Sequence, residues 1–402
     1  MSSGQHQQQV KLRSTGTHAR PPRRRRRAAA AALLLAAGVA AVVARPGLSE
    51  APPVSAALTA STAMTASTSA APSLSVQGNH FVNGQGQTVQ LRAVNRSSFV
   101  SYCSDGFGFA QGPVTQAGVN AIKAWGVNAI RLQLNEDCWL GINGMPAADS
   151  GANYQNAIAN YVRYANNDGM YVILSLAWNA PGSTKSLQQE PMADQSHAPA
   201  FWNSVAARFG HNNSVLFDLY NEPRPFGGAD TTAAYQCILS GGSCGNAGYA
   251  IAGMQELVND VRGDGATNVL LVGGPNSAER LDQWLTHEPS DPRHDIAASV
   301  HVYNSSPYNS AAQWTASIAP VAAKVPVVTG ERGEDPQQTS GCQYSFSPAY
   351  TSWADSHGVS YAAFDWDTWS TCDALISNYN GTPRAPYGTG WKSHFLADQN
   401  KG

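Results

Sequence analysis

Charge is scarce in this 402-residue chain: Asp, Glu, Lys and Arg together make up 13%, and the formal net charge is -2. A near-neutral body lacks the electrostatic footprint that a nucleic-acid backbone requires, so no nucleic-acid partner is expected. Cysteine is sparse as well. The six that occur, Cys103, Cys138, Cys237, Cys244, Cys342 and Cys372, are scattered without a Cys-x-x-Cys pair, which argues against a zinc site. No Gly-x-Gly-x-x-Gly follows the first strand-like segment, so a dinucleotide fold lacks its phosphate-binding turn. Asp365 and Asp367 stand close together, but no ligand cluster at metal spacing accompanies them. Neither a metal nor another cofactor is expected.

One long apolar run does occur. Residues 28–44, "AAAAALLLAAGVAAVVA", directly follow the basic stretch "RPPRRRRR". That order is the pattern of an export signal, and its length borders on that of a membrane span. Residues 1–45 are therefore expected to be a signal peptide or an N-terminal anchor. The protein is then secreted, or held at a membrane if the segment stays uncleaved. Residues 46–73 are rich in Ala, Ser, Thr and Pro. They lack the bulky apolar groups that offset ordering entropy, and read as a disordered linker.

From residue 74 to 402 a different grammar takes over. "LSVQGNHFVNGQGQTVQ" reads as a hairpin with Asn-Gly turns. Short strand-like runs then alternate with helical ones. Strands are expected at 89–95, 127–134, 170–178, 215–220, 268–273, 297–303, 325–330 and 359–366. Helices are expected at about 114–126, 153–169, 197–209, 247–262, 310–323, 347–357 and 389–397. Strands that are apolar on both faces and separated by helices belong to a parallel sheet covered on both sides. Eight of them favour an α/β fold of the (β/α)8 TIM-barrel type. In an oxidising compartment the cysteines should pair. Cys237–Cys244 would close a short Gly/Ser loop. Cys103–Cys138 and Cys342–Cys372 follow if each pair links neighbouring loops of one barrel face.

Such a barrel carries its chemistry at the C-terminal ends of its strands. The polar residues there are Asn95 and Arg96, Arg131, Trp178 and Asn179, Asn221 and Glu222, His301 and Tyr303, Glu331, and Asp365, Trp366 and Asp367. Strands four and seven lie across the mouth from each other, and each ends in a glutamate. Two carboxyl groups across one cleft are what glycoside hydrolysis needs: one donates a proton to the leaving oxygen, the other attacks the anomeric carbon. The ten Trp and fifteen Tyr include candidate platforms for sugar faces, Trp139 and Trp178 among them.

The segments "GVNAIRLQLNEDCWLGING", "LYNEP", "HVYN" and "PVVTGERGE" together resemble glycoside hydrolase family 5, the cellulase-type branch of the retaining (β/α)8 hydrolases, over roughly residues 75–397. The resemblance implies Glu222 as general acid/base and Glu331 as nucleophile. It implies that Asn221 holds the 2-hydroxyl of the sugar, that Tyr303 hydrogen-bonds the nucleophile, and that His301 contacts the reacting sugar or the acid/base. Arg131 would keep Glu331 ionised, and Trp366 would be the stacking floor. Trp178 and Asn179 complete the expected substrate-binding set. The chain departs from the family in strand three, where "ILSLAW" puts Ser175 and Ala177 in place of an Asp and a His, and again at Arg332, where the family often carries an aromatic residue. The expected activity is that of a secreted, monomeric, retaining β-glycoside hydrolase of endoglucanase type with an altered sugar preference. An exo-acting enzyme on an atypical sugar such as a furanoside, a transglycosylase and a non-catalytic carbohydrate-binding barrel are the alternatives.

Overall fold

The computed structural model describes residues 70–334 and 343–399. The expected signal or anchor segment and most of the linker lie outside the described residues, as does Cys342. The linker's last residues, 70–73, lead into the first strand.

Eight parallel strands close into a barrel. In chain order they are β1 (Arg92–Arg96), β2 (Ala129–Asn135), β3 (Tyr171–Trp178), β4 (Val215–Asp218), β5 (Leu270–Gly273), β6 (Ile296–Tyr303), β7 (Val327–Gly333) and β8 (Ser360–Ala363). Each pairs with its sequence neighbours, and β8 closes on β1. Every residue of β2 and β3 is buried, because one face lines the barrel and the other packs under helices. Along each strand the inward positions fall two apart. Ala93, Ala129, Tyr171, Ile173, Leu216, Leu271, Ala297, Val328 and Ala362 form one core with Leu74, Phe81 and Leu91. The three-stranded meander over 74–89 thus contributes to the floor of the barrel. Burying a side chain such as Ile173 or Leu216 is worth about 1.5–3 kcal/mol.

The helices follow the expected periodicity with local corrections. Helix Gln116–Lys123 buries Val119 and Ile122, and Trp125 is buried just beyond its end. Thr115 caps it by accepting from the Gly118 amide, and Gly126 takes up φ +83° where the chain turns away. The helix expected at 310–323 is two helices, Ala311–Ser317 and Ala319–Ala322. Pro320 lacks the amide hydrogen needed to continue the first and instead sits in the opening turn of the second. The helix expected from 247 begins only at Met254, since Ile251 is drawn into bridges with Asp194 and Gly242. A helix at Thr232–Ser240 escaped the sequence reading. Disulfides Cys103–Cys138 and Cys237–Cys244 are closed as expected. Cys372 is also disulfide-bonded.

Candidate active site

Above the apolar floor the inward positions turn polar. The pairing of Asn95 with Arg131, Gln133 with Ser175, and Ser175 with Asp218 sets these residues side by side on successive strands. Arg131 is fully covered and spends its fork on five groups. Nε and Nη2 donate to Asp218 Oδ2 at 3.1 and 2.8 Å, Nη1 to Asn95 Oδ1 at 3.0 Å and Glu331 Oε1 at 3.1 Å, and Nη2 also to Ser175 Oγ at 3.0 Å and Asn221 Oδ1 at 2.6 Å. Burial works against the guanidinium charge, but Asp218 and then Glu331 outweigh it and push its pKa up. Burial raises the Asp218 carboxyl, while Arg131, His301 and Ser175 pull it back down.

Glu222 and Glu331 face each other at the end of this layer. One carboxylate oxygen of each and a His301 ring nitrogen lie within 4.8 Å of one another. His301 Nδ1 is 3.2 Å from Glu222 Oε1 and 3.8 Å from Glu331 Oε2. Glu331 is gripped from three sides: by Arg131, by the Tyr303 hydroxyl donating to Oε2 at 2.8 Å, and by the Gln133 amide. Burial and then the charge of Glu331 hold the Tyr303 phenol well above its ordinary range, so it remains a donor. Asn221 is fixed from below by Arg131 and from the side by donating to Gln189 Oε1 at 2.7 Å, and Gln189 in turn donates to the Glu222 carbonyl at 2.8 Å. A retaining pair of carboxyl groups stands about 5–5.5 Å apart and an inverting pair about 6.5–9.5 Å apart.

The structure therefore brings together Glu222, Glu331, Asn221, Arg131, His301 and Tyr303. Three expected substrate contacts, Trp366, Asn179 and Trp178, are instead buried. Trp366 is only 1% exposed and packs edge-on against Trp125, ring centroids 4.8 Å apart. The reason is that β8 ends at Ala363, before the alternation reaches 366. Phe364, not Trp366, lies edge-on to Tyr303 at 6.3 Å. Asn179 is fully buried and pins the loop that follows β3. It donates to the Met192 carbonyl and Asp194 Oδ2, both at 3.0 Å, and accepts from the Tyr220 hydroxyl at 2.9 Å. Trp178 sits in a small apolar cluster with Val100 and Ala177, 8% exposed, and is not an open platform. Trp139 is core, packed on Phe201, Phe209 and Tyr154. Arg332 is buried with its guanidinium 4.1 Å from the Phe346 ring centre, in the helix layer.

Sequence reading missed Asp218, Gln133, Gln189 and Glu279. A charged residue inside an otherwise apolar buried strand was the available signal for Asp218, and the spacing of two from Arg131 was the signal for Gln133. Ser175 is small enough that the carboxylate beside Arg131 comes from β4 rather than β3. A second cluster of possible ligands, Asp355, His394 and Asp398, already has its positive charge in Arg92, 3.6–3.7 Å from both carboxylates.

A family model described as "Cellulase (glycosyl hydrolase family 5)" matches residues 82–370. Endoglucanase B of Clostridium cellulovorans is 29% identical over 209 residues, covering 50% of this chain and 45% of that protein. An endoglucanase of Halalkalibacter akibai is 26% identical over 204 residues, covering 46% of this chain and 22% of its own length. The chain thus matches less than half of either curated relative. Among solved structures, a beta-glucanase from Saccharophagus degradans in complex with cellotetraose superposes with a TM-score of 0.63 at 22% identity, over 83% of this chain and 95% of that one.

Proposed function

The chain belongs to glycosyl hydrolase family 5, and from that premise we propose that it hydrolyses β-glycosidic bonds with retention, by double displacement. The carrying observation is the spacing of Glu222 and Glu331, within 4.8 Å between carboxylate oxygens. Glu222 gives its proton to the departing glycosidic oxygen while a Glu331 oxygen attacks the anomeric carbon, breaking the C–O bond and forming a glycosyl ester. Glu222, now ionised, takes a proton from water. The water oxygen displaces Glu331 and restores both groups. Tyr303, Gln133 and Arg131 keep the attacking carboxylate aimed and prevent it from rotating away. Asn221 lies where a 2-hydroxyl would be held, fixed beforehand by Arg131 and Gln189, so its orientation costs little on binding.

The substrate class is a β-linked glucan or a relative of one, supported by the endoglucanase and beta-glucanase names of the similar proteins. Ala177 beside Trp178 leaves the wall at the end of β3 apolar. This favours a reacting sugar that needs no hydrogen bond on that side. Export is supported by the basic and apolar order of residues 20–44 and by the two closed disulfides. The test is incubation with an activated 2-fluoro glycoside followed by mass measurement of the intact protein and its peptides. A lasting adduct on Glu331 is expected. Its absence across gluco-, manno- and furanoside reagents would favour a binding-only barrel.

A further inference from the structure

A third carboxyl group is carried by the turn that follows β5. After β5 the chain passes through Asn276, Ser277 and Ala278 with φ values of +57°, +56° and +62°. Three consecutive residues with side chains in the left-handed region are strained, and such strain persists where the surroundings over-determine it and clusters at functional sites. The next residue is Glu279. Its carboxyl accepts from Asn276 Nδ2 at 2.7 Å and is hydrogen-bonded by Ser306, just beyond β6. Burial pushes this carboxyl up to about 7, and among charged neighbours Glu222 raises it while His301 lowers it. The turn that carries Glu279 is bonded through its backbone to Pro223, next to Glu222, and to His301, which places it on the acid/base side of the cleft.

The turn is also held by its backbone, apart from the Asn276–Glu279 bond. The Ser277 amide donates to the Pro223 carbonyl at 3.0 Å, and the His301 amide donates to the Ala278 carbonyl at 2.8 Å. These backbone bonds clip the turn to the segment carrying Glu222 and to the strand carrying His301. What the turn delivers is a half-buried acceptor within the electrostatic reach of Glu222. Glu222 protonates the departing oxygen in the proposed mechanism, so a group on its flank meets the departing sugar and not the one captured by Glu331.

We infer that Glu279 is a specificity-determining residue that accepts hydrogen bonds from hydroxyls of the leaving-group sugar. This rests on the hydrolase reading and deepens it. A hydrogen bond that is made by one substrate and missing from another discriminates between them by about 10-fold or more.

The experiment compares kcat/KM for a β-1,4-gluco-oligosaccharide with that for an aryl β-glycoside of the same sugar, whose leaving group carries no sugar hydroxyl. The enzymes are wild type, Glu279→Ala and the near-isosteric Glu279→Gln, each checked for an unchanged melting transition. Expected is a fall on the oligosaccharide at least ten times larger than any fall on the aryl glycoside for Glu279→Ala, with Glu279→Gln in between. Equal losses on both substrates, or none on the oligosaccharide, overturn the assignment while leaving the hydrolase reading intact. A wild-type chain that turns over neither substrate overturns the hydrolase reading and the assignment with it.

Discussion

Replacing Asp218 with asparagine tests the polar layer under the two glutamates. The change keeps the side-chain volume and removes one charge. Asp218 is fully buried, and its Oδ2 accepts two hydrogen bonds from Arg131 and one from Ser175 at 2.9 Å. Removing one partner of a buried ion pair costs about 3–5 kcal/mol, because the other charge is left uncompensated. Here Glu331 still stands 3.1 Å from Arg131, which favours the lower end of that range. With an unfolding entropy of about 2.1 cal/mol/K per residue, a folded body of roughly 320 residues loses about 0.7 kcal/mol per kelvin near its midpoint. The melting temperature of Asp218→Asn should therefore fall by roughly 4–7 °C. Ser175→Ala removes one neutral hydroxyl, which donates to Asp218 and accepts from Arg131, and should cost about 0.5–1.5 kcal/mol. Scanning calorimetry at pH 7 in low salt and in 0.5 M salt is the assay. The shift should be the same in both, since a covered pair is poorly screened. A melting point within 1 °C of wild type, a shift that vanishes in salt, or a Ser175→Ala loss as large as that of Asp218→Asn would refute the reasoning.

Other outcomes follow from the same geometry. Glu222→Ala should slow hydrolysis by about 10²–10⁴-fold for substrates with poor leaving groups, and much less for activated aryl glycosides, which need no proton. A uniform loss across leaving groups would remove Glu222 from the acid role. Glu136, fully buried, is held well above the ordinary carboxylate range by burial and by Asp194. Folded Glu136 keeps its proton where the unfolded chain has lost it, so stability falls as pH rises past the normal glutamate range. Glu136→Gln should accordingly gain melting temperature over wild type at pH 9 but not at pH 4, and the opposite order in thermal scans would contradict this. Cys103–Cys138 spans 35 positions and Cys237–Cys244 spans 7. On chain-entropy grounds their loss should cost about 4 and about 2.5 kcal/mol, measurable by denaturant unfolding of the paired serine variants. Equal costs would count against the entropic account. Ala177→His should shift relative rates across a panel of aryl glycosides and glucans, and unchanged ratios would show that the wall at the end of β3 does not select the sugar.

The sequence by itself determined the eight strands, most of their helical crossovers and the carboxylic acids at the ends of strands four and seven. These are local matters: a run of apolar residues buried on two faces, closed by Glu222 or Glu331, can hardly be anything else in such an alternation. His301 and Tyr303 were legible for the same reason, two positions apart on one face of one strand. Only the tertiary structure decided the rest. Trp366 was misread because the end of β8 is set by packing against β1 and Trp125, not by the strand's own composition. Asn179 and Gln189 lie on one loop. Asn179 is tied down by the distant Tyr220, whereas Gln189 reaches Asn221 and Glu222, and nothing local distinguishes the two. Asp218 showed in the sequence only as a charge inside a buried strand, because its partner Arg131 comes from a different strand. Electrostatic partnership depends on distance in space, and closing the barrel sets Arg131 between Asp218 and Glu331 and brings Glu222 opposite Glu331.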